Sequence, residues 1–435
     1  MKVSKNGLAT GTMIRNLLLL GLLLRFVFIF LDFSMDVNSH IAWGKETYLH
    51  GFSGFYGRIG YETFTIQFPN YPPLVIYMFA FAYMLYSSLF SIIWWINVHV
   101  PAFPSGIVTF LEGRNAMAAF MKIPPILGDL GTAYLLYLFT FKMTKNIKLS
   151  LRSLMLIAFN PVIIYLSSLW GQIDILPVMF ILWSIYVLFY SPHKLWSGVL
   201  FALALLAKQT AVIYVPLYIF LVIRKTQPKD TLKIGGACLA VFWLSFLPFY
   251  QVGNILSFPF ITYLQKILLV SGLSFISNHS FNMWAAISQW NNIPDSGLFM
   301  GIPYSFWGYG VASLFLVALF YKYVKSKMSI ENVLMIFILW NFTVFEFFTR
   351  IHERHFLPLV IFLIPLIWKD VKFKYIFYIL NVFLMVNFYH NWAVPAIPFL
   401  LFVIRSPFTE NLFVFTGLSL YFILLKDFLL KKDIK

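Results

Sequence analysis

IRNLLLLGLLLRFVFIFL (residues 14–31) runs directly into DFSMDVNSHIAWGKETYLHGFSGFYGRIGYETFTIQFPNYPPL (32–74). The first stretch approaches the roughly 20 apolar residues that a helix needs to cross a bilayer. It reaches Leu31 without a small-residue cleavage site, so it reads as a retained first membrane helix. Arg25 within it is costly against lipid and is expected to face protein or a cavity. The second stretch is the first long polar interruption of the chain, and it holds Asp32, Asp36, Glu46 and Glu62, four of only 16 acidic residues. Carboxylates gathered at a membrane surface between two hydrophobic helices mark a place to look for chemistry.

The alternation of apolar runs and short polar breaks continues to the C-terminus. Of the 435 residues, 60% are hydrophobic and 11% charged, and the mean hydropathy is +0.81. A soluble domain carries about twice that charged fraction. Apolar runs fall at 14–31, 72–98, 116–141, 153–171, 173–190, 197–223, 234–250, 304–321, 330–348, 356–368, 375–389 and 411–429, with a shorter one near 393–404. The expected fold is all-α: a polytopic transmembrane bundle of about 11–13 spans, forming one integral-membrane domain over residues 1–435. The net charge of +16 is no sign of nucleic-acid binding, because the basic residues sit in short loops at 2–15, 142–152, 224–233, 322–327 and 369–374. That is the positive-inside pattern, which places 32–71 and 251–303 on the external side as the first and the large external loops. The single cysteine, Cys238, lies within a span and carries no disulfide argument.

Parity exposes a conflict. With 72–98 as one helix, the basic loop 142–152 falls outside, against the charge rule. One broken helix restores it, either by a hairpin at Ser87-Ser88 or by a turn at Lys208-Gln209, where a lysine deep in an apolar run needs a wet or protein-lined setting.

Several polar residues stand out. A helix over 36–49 places Asp36, His40, Trp43 and Thr47 on one face, a carboxylate, an imidazole and an aromatic wall suited to a polar substrate; Asp36 as a plain helix cap is the alternative. PNYPPL (69–74), with Tyr71, is expected to be a rigid extended entry to the next helix. Gln172 and Asp174 in WGQID (170–174) suit either a structural or a substrate contact. Lys208-Gln209 and the segment RIHERH (350–355) are the strongest basic sites outside the cytoplasmic loops, and the latter suits a phosphate-bearing lipid or simply anionic headgroups. Asn278, Asn282 and Trp284 in SNHSFNMW (277–284) suit a sugar. No histidine spacing fits a metal site, and HERH is not HExxH, so neither metal nor cofactor is expected.

These segments occur in a recognisable order: Asp36 with Trp43, NYPPL (70–74), KIPPILGDL (122–130), LWGQID (169–174), LLAKQTAVIYVP (205–216), SFNMW (280–284) and IHERHFLP (351–358). Over about residues 14–365 the chain resembles the GT-C class of integral-membrane glycosyltransferases, most closely prokaryotic relatives of the N-glycan-pathway glucosyltransferases, with 366–435 as additional membrane helices. The resemblance implies an inverting transfer of a hexose, mannose or glucose, from a polyprenyl-phosphate donor to an acceptor hydroxyl. The acceptor would be a glycan, lipid or protein on the outer face of the cytoplasmic membrane. It assigns Asp36 as general base, His352 with Arg354 nearby to the donor phosphate, and Lys208 with Gln209 to the substrate cavity; the residues themselves add Arg350 as an expected phosphate contact and His40, Trp43, Tyr71, Gln172, Asp174, Asn282, Trp284 and Glu353 as an expected cavity lining. Eukaryotic relatives carry an acidic residue soon after the catalytic aspartate and a His-rich run in place of WGQID, departures that bear on acceptor and sugar. The alternatives are a membrane lipid or glycan transporter and an O-antigen-type polymerase or ligase.

Overall fold

The computed structural model describes residues 5–58, 68–270 and 273–431; Glu62, singled out above, and Lys2 of the basic 2–15 segment lie outside them. The described chain is helical almost throughout. The helices used below are α1 (Lys5–Phe28), α2 (Met35–His50), α3 (Pro73–His99), α4 (Ile123–Thr144), α5 (Ile147–Ala158), α6 (Ile175–Tyr190), α7 (Leu195–Ala207), α8 (Pro228–Phe246), α9 (Tyr304–Lys325), α10 (Ile330–Phe347), α11 (Val371–Asn391) and α12 (Pro407–Leu430). Among the described residues, 8 helices are long and apolar enough to cross a membrane, and α6 and α7 are shorter apolar helices. Large apolar side chains such as Leu20, Leu23 and Val27 on α1 and Leu314 and Val317 on α9 are exposed. Such rows suit lipid rather than water. The chain is an integral membrane protein of the all-α polytopic class.

Several apolar runs are divided more finely than hydropathy alone indicates, which is why fewer long helices than expected emerge. The run 116–141 is split at Lys122, and 356–368 contains only the short helix Leu357–Leu363. Helix α3 is continuous through Ser87 and Ser88, so the hairpin considered there does not form. The run 197–223 is the broken one: α7 ends at Ala207, Lys208 is extended (φ −158°, ψ 141°), and a 3-10 segment Gln209–Tyr214 precedes the helix Val215–Lys225.

The chain divides into two compact units. The first comprises 1–187, 192–211 and 232–270, and the second 188–191, 212–231 and 271–435. In the first, two sets of helix-end carbonyls that lack helical donors are closed by buried cations. Pro161 has no N–H to offer Ile157, and the Val162 N–H turns to the Asn160 side chain, which leaves the Ala158 carbonyl without its helical donor. Arg25 fills that gap, donating to Ala158 O at 2.7 Å and, through Nε, to Asp129 Oδ2 at 2.8 Å, with both side chains fully buried. Ser167 donates to the same carboxylate oxygen at 2.5 Å. The expected protein-facing Arg25 is thus an ion pair joining α1, α4 and the end of α5. At the end of α1, the buried Lys122 ammonium donates to Ile29 O at 2.9 Å and also to Asp32 O. A cation there complements the negative end of the helix dipole.

In the second unit α10 is the central helix, buried along nearly its whole length, with apolar side chains around its full circumference. Thr343 on α10 meets Tyr421 on α12 at 3.0 Å between hydroxyls.

Candidate functional site

Helix α2 forms as the spacing predicts. Its N-cap is Ser34, not Asp36; Asp36 occupies the first turn, where the aligned amide dipoles favour a charged carboxylate. Of the anticipated face, only Asp36 is half-exposed. His40 is fully buried with its ring stacked on Phe79 at 4.2 Å, and Trp43 lies 5.2 Å from Tyr71. Thr47 closes the row by donating to Trp43 O at 2.7 Å. The close approach that permits this packing is made at Gly44, where an added Cβ would come within 2.6 Å of Phe79 O. The aromatic wall is therefore the seam that docks α2 on α3, and Asp36 stands at its open end.

PNYPPL enters α3 as expected, with Pro72 extended (φ −68°, ψ 163°) and Pro73 at the first helical position. Tyr71 is pinned by its carbonyl, which accepts from Tyr56 Oη at 2.9 Å, and its ring lies 5.6 Å from His40.

The WGQID segment supplies the floor beneath Asp36. A π-turn over Tyr165–Trp170 closes with both Gly171 N and Gln172 N donating to Leu166 O, at 3.0 and 2.9 Å. Gly171 then takes a left-handed conformation (φ +84°), and a Cβ there would lie 2.5 Å from Val37 of α2. Both the torsion and the contact require glycine. Ser34 N donates to Trp170 O at 3.1 Å, and the fully buried Gln172 amide donates to Asp36 Oδ2 at 2.7 Å and Ser34 Oγ at 3.2 Å. Two residues on, Asp174 accepts from Lys208 at 2.8 Å, both nearly fully buried, and the Lys208 ammonium lies 5.8 Å from the Tyr71 ring centre. The break in the 197–223 run thus presents Lys208 to a buried carboxylate, the condition on which a lysine at that depth is tolerated. The adjacent Gln209 Oε1 is buried without a hydrogen-bond partner among the described residues. Asp36, Tyr71, Gln172, Asp174 and Lys208 are brought together, the Asp36–Gln172 contact spanning 136 residues of sequence and the Asp174–Lys208 contact 34.

In the second unit, RIHERH is stitched to SNHS by bridges from His352 to Asn278 and His279. Arg350 sits at φ +63°, its guanidinium forked onto Asp295 (Nε to Oδ2 2.6 Å, NH2 to Oδ1 3.1 Å), and that hydrogen bonding holds it charged. Those donors fix the loop and are not directed at a ligand. Glu353 is fully buried, with Oε1 accepting from Arg354 at 3.3 Å and Oε2 lying 4.0 Å from His352 Nδ1. Asn282 and Trp284 are placed otherwise than the sugar-binding expectation suggests. Asn282 caps a short helix and donates to Phe345 O at 3.0 Å, and Trp284 donates to Phe347 O at 2.7 Å, so both are tied to the end of α10.

The sequence reading missed His279 and Arg405. Asn387 on α11 holds the His279 carbonyl at 2.7 Å, and His279 is itself left-handed (φ +60°), a conformation that non-glycine residues keep where the surroundings enforce it. Burial, with the Arg405 and Arg354 guanidiniums adding to it, lowers the His279 pKa below its ordinary 6.5. The only signal in the sequence was a lone arginine closing a short apolar run. The sign of the pH effect follows directly: the unfolded chain takes up the proton first, so stability is full above 6.5 and is lost as pH falls below it. His279→Asn, which tolerates the left-handed torsion, is expected to show a smaller fall in melting temperature between about pH 7 and pH 5 than the native protein. An equal fall in both would remove His279 from the acid response.

No group of three or more His, Cys, Asp or Glu suited to a metal ion occurs among the described residues. No protein-family model matches this chain, and a search of curated proteins found no significant match.

Proposed function

We propose that this protein is an inverting glycosyltransferase that moves a hexose from a polyprenyl-phosphate donor to an acceptor hydroxyl on the outer face of the cytoplasmic membrane. The observation that carries the reading is the half-exposed Asp36 carboxylate, fixed at 2.7 Å by the buried Gln172 amide at the open end of an otherwise closed aromatic seam. A carboxylate that is reachable and held still is what a general base for hydroxyl attack requires. Asp36 takes the proton as the acceptor oxygen bonds to the anomeric carbon. The bond from that carbon to the phosphate oxygen breaks with its electron pair, inverting the sugar and releasing polyprenyl phosphate. His352 and Arg354 are assigned the phosphate, in keeping with the resemblance of IHERHFLP to the family's segment. Positive charge there stabilises the developing phosphate charge. Arg350 keeps a structural part through Asp295.

The test uses the full chain in native membrane vesicles supplied with labelled polyprenyl-phosphate mannose and polyprenyl-phosphate glucose. Release of polyprenyl phosphate with transfer of the label to one acceptor class, with inverted anomeric configuration, is the expected result. No turnover of either donor, with label instead crossing the membrane intact, would overturn the reading in favour of a transporter.

A further inference from the structure

We infer that Gln172 is the positioning residue of the Asp36 base, an inference that rests on the reading of Asp36 as base. Gln172 is fully buried and has no freedom to swing. The two hydrogens of its Nε2 serve two acceptors, Asp36 Oδ2 and Ser34 Oγ, and the reverse orientation of the amide would set Oε1 against a carboxylate. Three anchors hold that amide in place. Its own backbone N–H closes the π-turn on Leu166, its preceding glycine seats against Val37, and its neighbour Asp174 is locked to Lys208. The backbone on the Asp36 side is joined to the same segment through Ser34 N and Trp170 O. Asp36 and Gln172 therefore move as one body, and the held Oδ2 fixes where Oδ1 points.

Two consequences are separable from simple support of the fold. An amide donor favours the charged form of a carboxylate, so its removal makes Asp36 easier to protonate. A fixed carboxylate plane also contributes to kcat rather than to donor binding, since a displacement of about 1 Å at a reacting group can lower a rate on the order of 10²-fold. Neither effect is expected of a residue that only fills space.

The experiment compares the native protein, Gln172→Glu, Gln172→Met and Asp36→Asn in membrane vesicles with the labelled polyprenyl-phosphate hexose that turns over, across about pH 5–9. Gln172→Met keeps the length but removes the donor; Gln172→Glu sets a second carboxyl beside the first. Both are expected to lower kcat by about 10- to 100-fold with donor KM little changed, and to move the acid limb of the pH–rate profile upward by about one unit or more. If one variant fails to fold, the other answers alone. An acid limb unchanged from the native protein in a folded variant, with Asp36→Asn inactive, overturns the positioning role and leaves the base in place. Full activity of Asp36→Asn instead overturns the base reading, and the role of Gln172 with it.

Discussion

Asp36→Asn is expected to lower sugar transfer by about 10²–10⁴-fold, the range that general-base catalysis supplies. The substitution preserves size and leaves the Gln172 amide facing an oxygen if the new side chain orients to accept from it, so the seam of His40, Trp43 and Tyr71 stays closed. The loss should therefore fall on kcat. Labelled donor should still bind the vesicles, because the phosphate role is assigned to residues on a different segment of the chain. Single-turnover transfer and donor binding measured on the same preparation separate these quantities. Retained transfer in the variant would shift attention to Asp32, whose Oδ1 accepts from Phe33 N at 2.7 Å at the end of α1. It would equally weaken the assignment of an acid–base role to this loop.

Arg25→Leu is expected to destabilise the protein by about 3–5 kcal/mol, the usual effect of removing one partner of a buried ion pair. At least three losses act together: Asp129 keeps a buried carboxyl group with only the Ser167 hydroxyl beside it, and the carbonyls of Gly21 and Ala158 lose donors at 2.9 and 2.7 Å. Neither carbonyl can turn to water at that depth, so each lost bond is felt more fully than at a surface. The double variant Arg25→Leu/Asp129→Leu removes the orphaned carboxylate and should recover part of the loss. Unfolding midpoints in one detergent measure both effects, and a double variant no more stable than Arg25→Leu would show that carbonyl capping, not the ion pair, dominates.

Much of the fold is legible along the chain because hydropathy is a local property. The runs that become α1, α3, α9, α10, α11 and α12 announce themselves by length and composition. Helix α2 follows from three- and four-residue spacing, whereas Lys208 is only one of the two places, with Ser87-Ser88, where parity asks for a broken helix. The candidate site is legible in part. Asp36, Gln172, Asp174 and Lys208 stand out as polar residues in apolar surroundings, and they meet. Which of them pair does not show along the chain. Asp36 and Gln172 are separated by 136 positions, and Arg25 and Asp129 by 104. Arg405 belongs to no motif and His279 sits unremarked inside SNHSFNMW, and each matters only through what surrounds it. Asn282 and Trp284 read as sugar-binding groups because an amide and an indole suit a sugar as well as they suit a helix end.

Membrane residence, helical class and the short list of polar residues that such surroundings make expensive are thus written in the order of the residues. Transfer free energies act residue by residue and leave their record in order along the chain. Which of those residues pair with one another is settled by packing. It gave Asp129 to Arg25, Asp174 to Lys208, Asp295 to Arg350 and the Gln172 amide to Asp36. A buried charge or amide must find a partner, but the partner is fixed by which helices pack, and that choice is made by contacts far apart in sequence.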